Sequence, residues 1–469
     1  MNKSLVLLEF NEICPELLDT FIAAGELPNF ERLRSQADTY VTDAEEQPPN
    51  LEPWIQWVTV HTGMRYAEHG LFNLDEGHNL KNEQLWSHAS KAGKKVWVCG
   101  SMNIGYEGEI NGYVVPDPWT RETAAYPSGE FDNYVNFIQS QVQEHTNAKA
   151  KPKLGDAFGF LRFLMTRGMS FKLATQITSQ IIKEVATGKF RWKRASILDL
   201  IQWHVFKWYF RKHRPEFSTL FLNSVAHFQH VYWRNMNPDI FEAKPDSKEQ
   251  EELKDAILSG YKVFDRIIGE CMEMAGDNTN IALLSALSQQ PCLKYEALGG
   301  KISYRPSNFP EIMALANITV PYECSPVMTE EYLLRFSSEQ IATESMAKLF
   351  HLYTGDDRVM KVRQEGQELM VGCTIRHGID DDALVENRET GKGGVRFYDM
   401  FYKIKEKKSG EHNPDGVFWF WNKSVEGKKH EGKLPLVQVA PRLMKELGVP
   451  FGSEAAGAAD KSGESKDVA

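Results

Sequence analysis

At 469 residues, with 42% hydrophobic and 25% charged side chains and a formal net charge of −10, the chain is long enough for a large buried core. Its composition excludes disordered and fibrous classes. Net acidity without any nucleic-acid module pattern argues against a nucleic-acid partner. Six cysteines at 14, 99, 271, 292, 324 and 373 form no C-x-x-C pair, which favours reduced thiols over a disulfide framework or a thiolate zinc site. The opening MNKSLVLLEFNEICPEL is too short and too acidic for a signal peptide, and no run of about 18 apolar residues follows. The expectation is a cytoplasmic protein.

In chain order, Leu5 to Phe10 reads as a buried parallel strand, and Pro15-Glu16-Leu17-Leu18 opens a helix that runs to Gly25. Residues 51 to 73, LEPWIQWVTVHTGMRYAEHGLFN, hold an apolar helix followed by Thr62-Gly63 and His69-Gly70. Leu85-Trp86 begins another helix that stops at Gly93, and Val96 to Cys99 is a second buried strand; this is α/β alternation. Asn111-Gly112 leads into Tyr113-Val114-Val115.

Residues 151 to 214 hold fourteen Lys and Arg against three acids, a local charge of +11, interleaved with Trp192, Trp203, Phe206, Trp208, Tyr209 and Phe210. Such a block predicts inserted helices that cap the core or make peripheral contact with a membrane surface. A strand at Ser218 to Phe221 leads to His227, His230 and Trp233, a helix spans Glu251 to Met274, and Asn280 to Leu284 is a further strand. Residues 292 to 395, mixed in Pro, Asn, Gly and charge, read as a long insertion beside the site. Gly410-Glu411-His412 and Leu434 to Pro450 close one domain over 1 to 451, and the Ala/Ser/Gly/Lys-rich tail from 452 to 469 is expected to be disordered.

The order of these segments resembles the alkaline phosphatase superfamily, in particular its type I phosphodiesterase and nucleotide pyrophosphatase branch. The central stretch is similar to W-T-S-x-x-T-G-x-x-x-x-x-H-G-[ILV]-F, residues 11 to 18 to D-G-x-x-P-E-L-L, 226 to 233 to D-x-x-x-H-x-[FY]-W, 285 to 288 to S-D-H-G, and 410 to 418 to G-x-H-x-x-x-G-[IV]-F. The resemblance implies a three-layer α/β sandwich, a mostly parallel sheet with helices on both faces plus the helical insertion, and a two-metal site acting on phosphate or sulfate esters.

Against that pattern, Asn11, Ala226, Ala286 and Leu287 stand where metal ligands belong, and Val58 where the attacking Thr belongs. Only His230 and His412 match, both in one of the two metal positions. Three carboxylates missing from around two dications would leave most of the +4 charge unneutralised in a buried pocket. A two-zinc centre is therefore not expected; the expectation is no cofactor, or a single divalent metal with a third ligand from His227, Glu12 or His61.

The pocket is expected to be remade for a small phosphorylated or anionic ligand, with Glu9, Asn11, Gln56 and Gln289 binding it. Thr59, Glu12, His61 and His227 are the candidates for a metal-poor hydrolase or transferase chemistry. A non-catalytic binding or scaffold protein of the same fold, serving cell-envelope or glycan assembly, is the competing reading.

Overall fold

The computed structural model describes residues 4–120, 122–146, 154–327, 330–404 and 407–452. The expected disordered tail, apart from residue 452, and the first three residues of the basic block lie outside them.

An eight-stranded sheet organises the chain. Its strands are β1 (Ser4–Phe10), β2 (Ala37–Asp43), β3 (Val96–Cys99), β4 (Gly112–Val115), β5 (Phe217–Leu222), β6 (Thr279–Ser285), and, after two short strands β7 (Ser288–Pro291) and β8 (Gly410–Asn413), β9 (Asp415–Trp421) and β10 (Lys429–Pro435). Their order is β10-β2-β9-β6-β1-β5-β3-β4. Every pairing in it is parallel except those of β9, which runs antiparallel to β2 and β6. The central strand is β1. A parallel strand at the middle of a sheet is covered on both sides, which is why it reads as an apolar run without alternation.

Successive side chains of β1 enter opposite layers. Val6, Leu8 and Phe10 pack with α1 (Pro15–Ala23), α2 (Pro28–Gln36) and the helices described below. Leu5 and Leu7 pack with Trp57 and Val60 of α3 (Pro53–Thr62) and Trp86 of α4 (Leu85–Lys91). The result is the three-layer α/β sandwich that the resemblance implies.

The basic block folds as α5 (Leu154–Thr166), α6 (Phe171–Thr187) and α7 (Arg194–His213). Only the first two are appended to the surface. The third belongs to the helical layer, since Trp203, Phe206, Tyr209 and Phe210 are buried in the main core and Trp97 stacks on Phe131 and Phe206. Its aromatics are core residues rather than interfacial ones. After α8 (Ser224–Met236), the single helix expected from Glu251 is interrupted: Ser247–Leu253 ends before α9 (Ala256–Met274). The chain closes with α10 (Val439–Leu447).

The insertion is more structured than its composition suggests. Between residues 323 and 396 it builds two four-stranded antiparallel sheets. Its own apolar core, with Ile312, Leu334, Leu349, Leu369 and Val385, is separate from the two layers above.

Asp199 of α7 accepts the backbone N–H groups of Asn223 and Ser224 at 3.3 and 3.2 Å, at the start of α8. Burial nevertheless pushes its carboxyl up from 3.8 to about 7. In an unfolded chain Asp199 ionises near 3.8, so between there and about 7 the native state binds the extra proton, and this residue's contribution to stability falls as pH rises. Relative to the parent, the Asp199→Asn variant is expected to gain on the order of 1 kcal/mol per pH unit across that window. Urea unfolding of both proteins from acid to neutral pH checks this; parallel curves would sink it.

Candidate functional site

The site lies at the C-terminal end of β1, where the strand breaks into a turn. Asn11 and Glu12 form that turn, and Glu12 has φ +58°, in the left-handed region that glycine enters without strain. The resembled motif has Gly at this place. Keeping the turn but adding a carboxylate puts Glu12, 2% exposed, at the centre of the site. Its backbone carbonyl accepts from Gln229 Nε2 at 2.6 Å, and Gln229 Oε1 accepts from the Tyr261 hydroxyl at 2.8 Å.

Two imidazoles approach the same carboxylate. His230 on α8 places Nε2 3.3 Å from Glu12 Oε2, and His412 on β8 places Nε2 3.6 Å from it. The rings stand nearly perpendicular with centroids 5.1 Å apart. His412 Nδ1 lies 2.8 Å from the Leu51 carbonyl oxygen and His230 Nδ1 3.4 Å from that of Gly410. Both Nδ1 atoms are thus donors, and both Nε2 atoms face Glu12. His412 Nε2 is buried without a hydrogen-bond partner among the described residues.

Two Nε2 atoms facing one carboxylate need a positive charge among them, supplied by a proton or by a metal ion. Donor atoms about 2.0–2.2 Å from a zinc ion stand roughly 3.3–3.6 Å apart, the spacing from Glu12 to each histidine. The three groups fit one divalent metal, their donor atoms all lying within 4.8 Å of one another. Among the described residues this is the one such group of three or more.

The Glu12 carboxylate calls for positive charge beside it. Burial penalises it, but positive charge at His230 and His412, with hydrogen bonds from His230 and Gln289, offsets that and holds it at about 2; a divalent cation among the three groups would favour the carboxylate in the same way. Burial pushes His412 down to about 4, so its ring is neutral near pH 7. Glu52, just before α3, is raised to about 8 by burial, with Lys408 opposing and Glu12 adding to the shift; its Oε2 lies 3.5 Å from His412 Nδ1.

The other expected residues divide sharply. Gln289 belongs to the site: its Nε2 donates to Glu12 Oε2 at 2.5 Å and to the Ala226 carbonyl at 2.9 Å, and it is delivered there by β7, where it pairs with His412 across the β7–β8 ladder. Asn11 is adjacent but fully engaged, accepting from Trp57 Nε1 at 2.8 Å and donating to Glu12 Oε1 and Asn223 Oδ1 at 3.1 and 2.8 Å. It supports Glu12 and has no group left for a ligand.

Glu9 and His61 form a sealed pair at 2.8 Å with both side chains 0% exposed, between β1 and α3 and outside the metal cluster. Gln56 donates to the Asn50 carbonyl and is likewise turned away. His227 packs against Phe228 and Tyr232 and is not in the cluster, so Glu12 alone of the three candidate third ligands joins His230 and His412.

Thr59 sits in the second half of α3, seven residues beyond Glu52, about two turns or roughly 10 Å along the helix. Its hydroxyl faces His69 Nε2 at 3.4 Å. Because His69 Nδ1 accepts from the Leu71 N–H at 3.1 Å, Nε2 carries the proton and Thr59 is the acceptor, the reverse of what activating a nucleophile requires.

Four residues aligned with the resembled motifs' ligands and nucleophile are apolar here. Val58, Ala226, Ala286 and Leu287 are all buried, Ala286 in the α3-side layer and Leu287 in a small cluster with Ala44 and Leu51. Glu52, Gln229 and Lys408 are the site residues that motif comparison did not assign a role. For Glu52 and Lys408 only closure of the fold brings them near; for Gln229 the signal was its spacing, one residue before His230.

A parallel sheet with helices on both faces and ligands gathered at the C-terminal strand ends is of the alkaline phosphatase-like class. A family model for type I phosphodiesterase / nucleotide pyrophosphatase matches residues 5–300, and the chain belongs to that family. No curated protein sequence matches it. Among solved structures it is similar to phosphonoacetate hydrolase from Sinorhizobium meliloti 1021 in complex with phosphonoformate, at 11% identity over 95% of this chain and 96% of that one, with a TM-score of 0.44. It is also similar to murine ectonucleotide pyrophosphatase / phosphodiesterase 5, at 10% identity over 98% and 99% of the two chains, with a TM-score of 0.43. Among the described residues no helix is long and apolar enough to cross a membrane.

Proposed function

We propose that this protein binds a small phosphorylated or anionic ligand at a single divalent metal held by Glu12, His230 and His412, and that it does not run the two-zinc phosphodiester hydrolysis of its family. The observation that carries this reading is the convergence of the Nε2 atoms of His230 and His412 on the buried Glu12 carboxylate, the donor atoms all within 4.8 Å of one another. A metal bound there supplies Lewis acidity toward a phosphate oxygen. Gln289 and Gln229 fix the Glu12 carboxylate and backbone, and Lys408 adds positive charge beside Glu52 and His412, which favours an anion. Six unpaired cysteines, five of them buried, support a reducing, cytoplasmic setting.

Whether the bound ligand reacts divides two readings, a remade hydrolase or transferase and a non-catalytic binding or scaffold protein. Among the described residues the side-chain contacts of Glu12, His230 and His412 carry no hydroxyl or thiol, which would leave a hydrolase at this site water as its nucleophile.

Elemental analysis of the purified protein is expected to give about one zinc per chain, lost in His230→Ala. Loaded protein is expected to bind inorganic phosphate and to leave a nitrophenyl phosphodiester uncleaved. Two zinc per chain, with turnover abolished by Thr59→Ala, would overturn the proposal.

A further inference from the structure

Two helices of the basic block carry a second apolar stripe, facing water. In α5, Phe160, Phe163 and Leu164 are buried, yet Phe158, Leu161 and Met165, spaced by three and four residues, are 72%, 46% and 67% exposed. In α6, Leu173 and Glu184 are buried, while Phe171, Ile182 and Val185 are 86%, 62% and 83% exposed, with Ile181 at 53% beside them. These seven are half of the fourteen exposed large hydrophobics among the described residues, so they form a concentration, not the scatter of single apolar groups that any surface shows. A helix apolar on both faces has something covering its outer face.

The charge around the stripes says what covers them. Arg162, Lys172, Lys183 and Lys189 are exposed and form no ion pair among the described residues. Of the two acids on these helices, Asp156 and Glu184, the latter is already held by Arg194 at 2.6 Å. These cationic, apolar stripes stand on a chain of net charge −10. The stripe on α6 is broken by exposed Thr175 and Thr178, so it does not offer the unbroken apolar seam that a second helix, or a second copy of this chain, packs against. Separate apolar wedges between lysines suit a fluid, anionic surface.

We infer that α5 and α6 dock on an anionic lipid bilayer, lying in its plane with Phe158, Phe171, Ile182 and Val185 at the acyl boundary and the four basic side chains among the headgroups. The chain is then a peripheral membrane protein whose main sheet stays in water.

Flotation of the full-length protein tests this with vesicles of phosphatidylcholine alone and of phosphatidylcholine mixed with phosphatidylglycerol. Binding to the mixed vesicles at low salt, at least tenfold weaker on the neutral ones and weakened several-fold by raising salt past the Debye-screened range, is expected. The double variant Phe171→Glu, Ile182→Glu changes only exposed positions and is expected to lose about tenfold or more in binding while keeping its zinc affinity and unfolding midpoint. Failure of the parent protein to float with mixed vesicles, or equal flotation with neutral ones, would overturn the inference. So would light scattering that shows a dimer in the parent and a monomer in the double variant, since the stripes would then belong to a protein contact.

Discussion

Glu12→Gly is expected to abolish tight zinc binding, whereas the stability of the metal-free protein near pH 7 is set by two opposed terms. Removing one of three ligands, and the one that carries the charge, weakens affinity on the order of 100-fold or more. Glycine relieves the backbone: Glu12 holds φ +58°, a conformation that costs a side chain roughly 1–2 kcal/mol and glycine nothing. Against that gain, the Glu12 carboxyl is held at about 2 in the fold, so its ionised form contributes stability near pH 7 that glycine gives up. Glu12→Gln separates the two effects, because it keeps the strained backbone and removes the charge. Its zinc affinity should fall as far, without the gain of glycine. Calorimetric zinc titration and urea unfolding of both variants decide the matter, and a Glu12→Gly protein that binds zinc like the parent would end the assignment of Glu12 as a ligand.

The second large effect concerns Glu9 and His61. Both side chains are fully buried and lie 2.8 Å apart, with the His61 ring tucked between Trp57 and Trp86 at centroid distances of 5.8 and 4.8 Å. Glu9 Oε2 and His61 Nδ1 have no further partner among the described residues. Removing one member strands the other in a medium that solvates it poorly, so His61→Leu is expected to cost about 3–5 kcal/mol of stability. Replacing both, with Leu at 9 and 61, should recover most of that loss. Neither change is expected to alter zinc affinity by more than about two- or threefold, because the pair lies outside the metal cluster. Denaturant curves paired with zinc titration read both quantities. A large loss of zinc affinity without loss of stability would return His61 to the site.

How much of this was legible in the chain can be judged residue by residue. The sheet was, because β1, β3, β5 and β6 are central parallel strands whose two covered faces force an apolar run, and because the order of motifs is kept. His230 and His412 were legible for the same reason, each at a fixed offset from a motif residue. Glu12 was visible as a polar group at a strand end, but its position as a ligand depends on a left-handed backbone that no periodicity reveals. Glu9 looked equally promising from sequence; strand alternation pointed it into the α3 layer, where His61 waits from another element. Thr59 was misleading because matching Thr62-Gly63 fixes the end of α3, whereas the end that meets the site is its start, at Glu52. The insertion was opaque because its strands are two to six residues long and mostly half-exposed, too short and too mixed for a period to show. The basic block was half legible: α7 is a core helix whose lysines and arginines sit at its rim and disguise its buried aromatic face.

The β7–β8 ladder has a consequence for how the protein comes to exist. It joins Gln289 to His412 across an insertion with its own core, and the three ligands come from the first strand, the middle and the last stretch of the chain. No shorter piece of the nascent polypeptide contains the cluster. His412 reaches Glu12 only in a chain that has been made past residue 412 and whose β7–β8 ladder has formed, so a metal that needs all three groups would find them only after that long-range contact. A ribosome-bound chain stopped before residue 410 would carry Glu12 and His230 without their third partner, and zinc occupancy would count only molecules whose two ends have met.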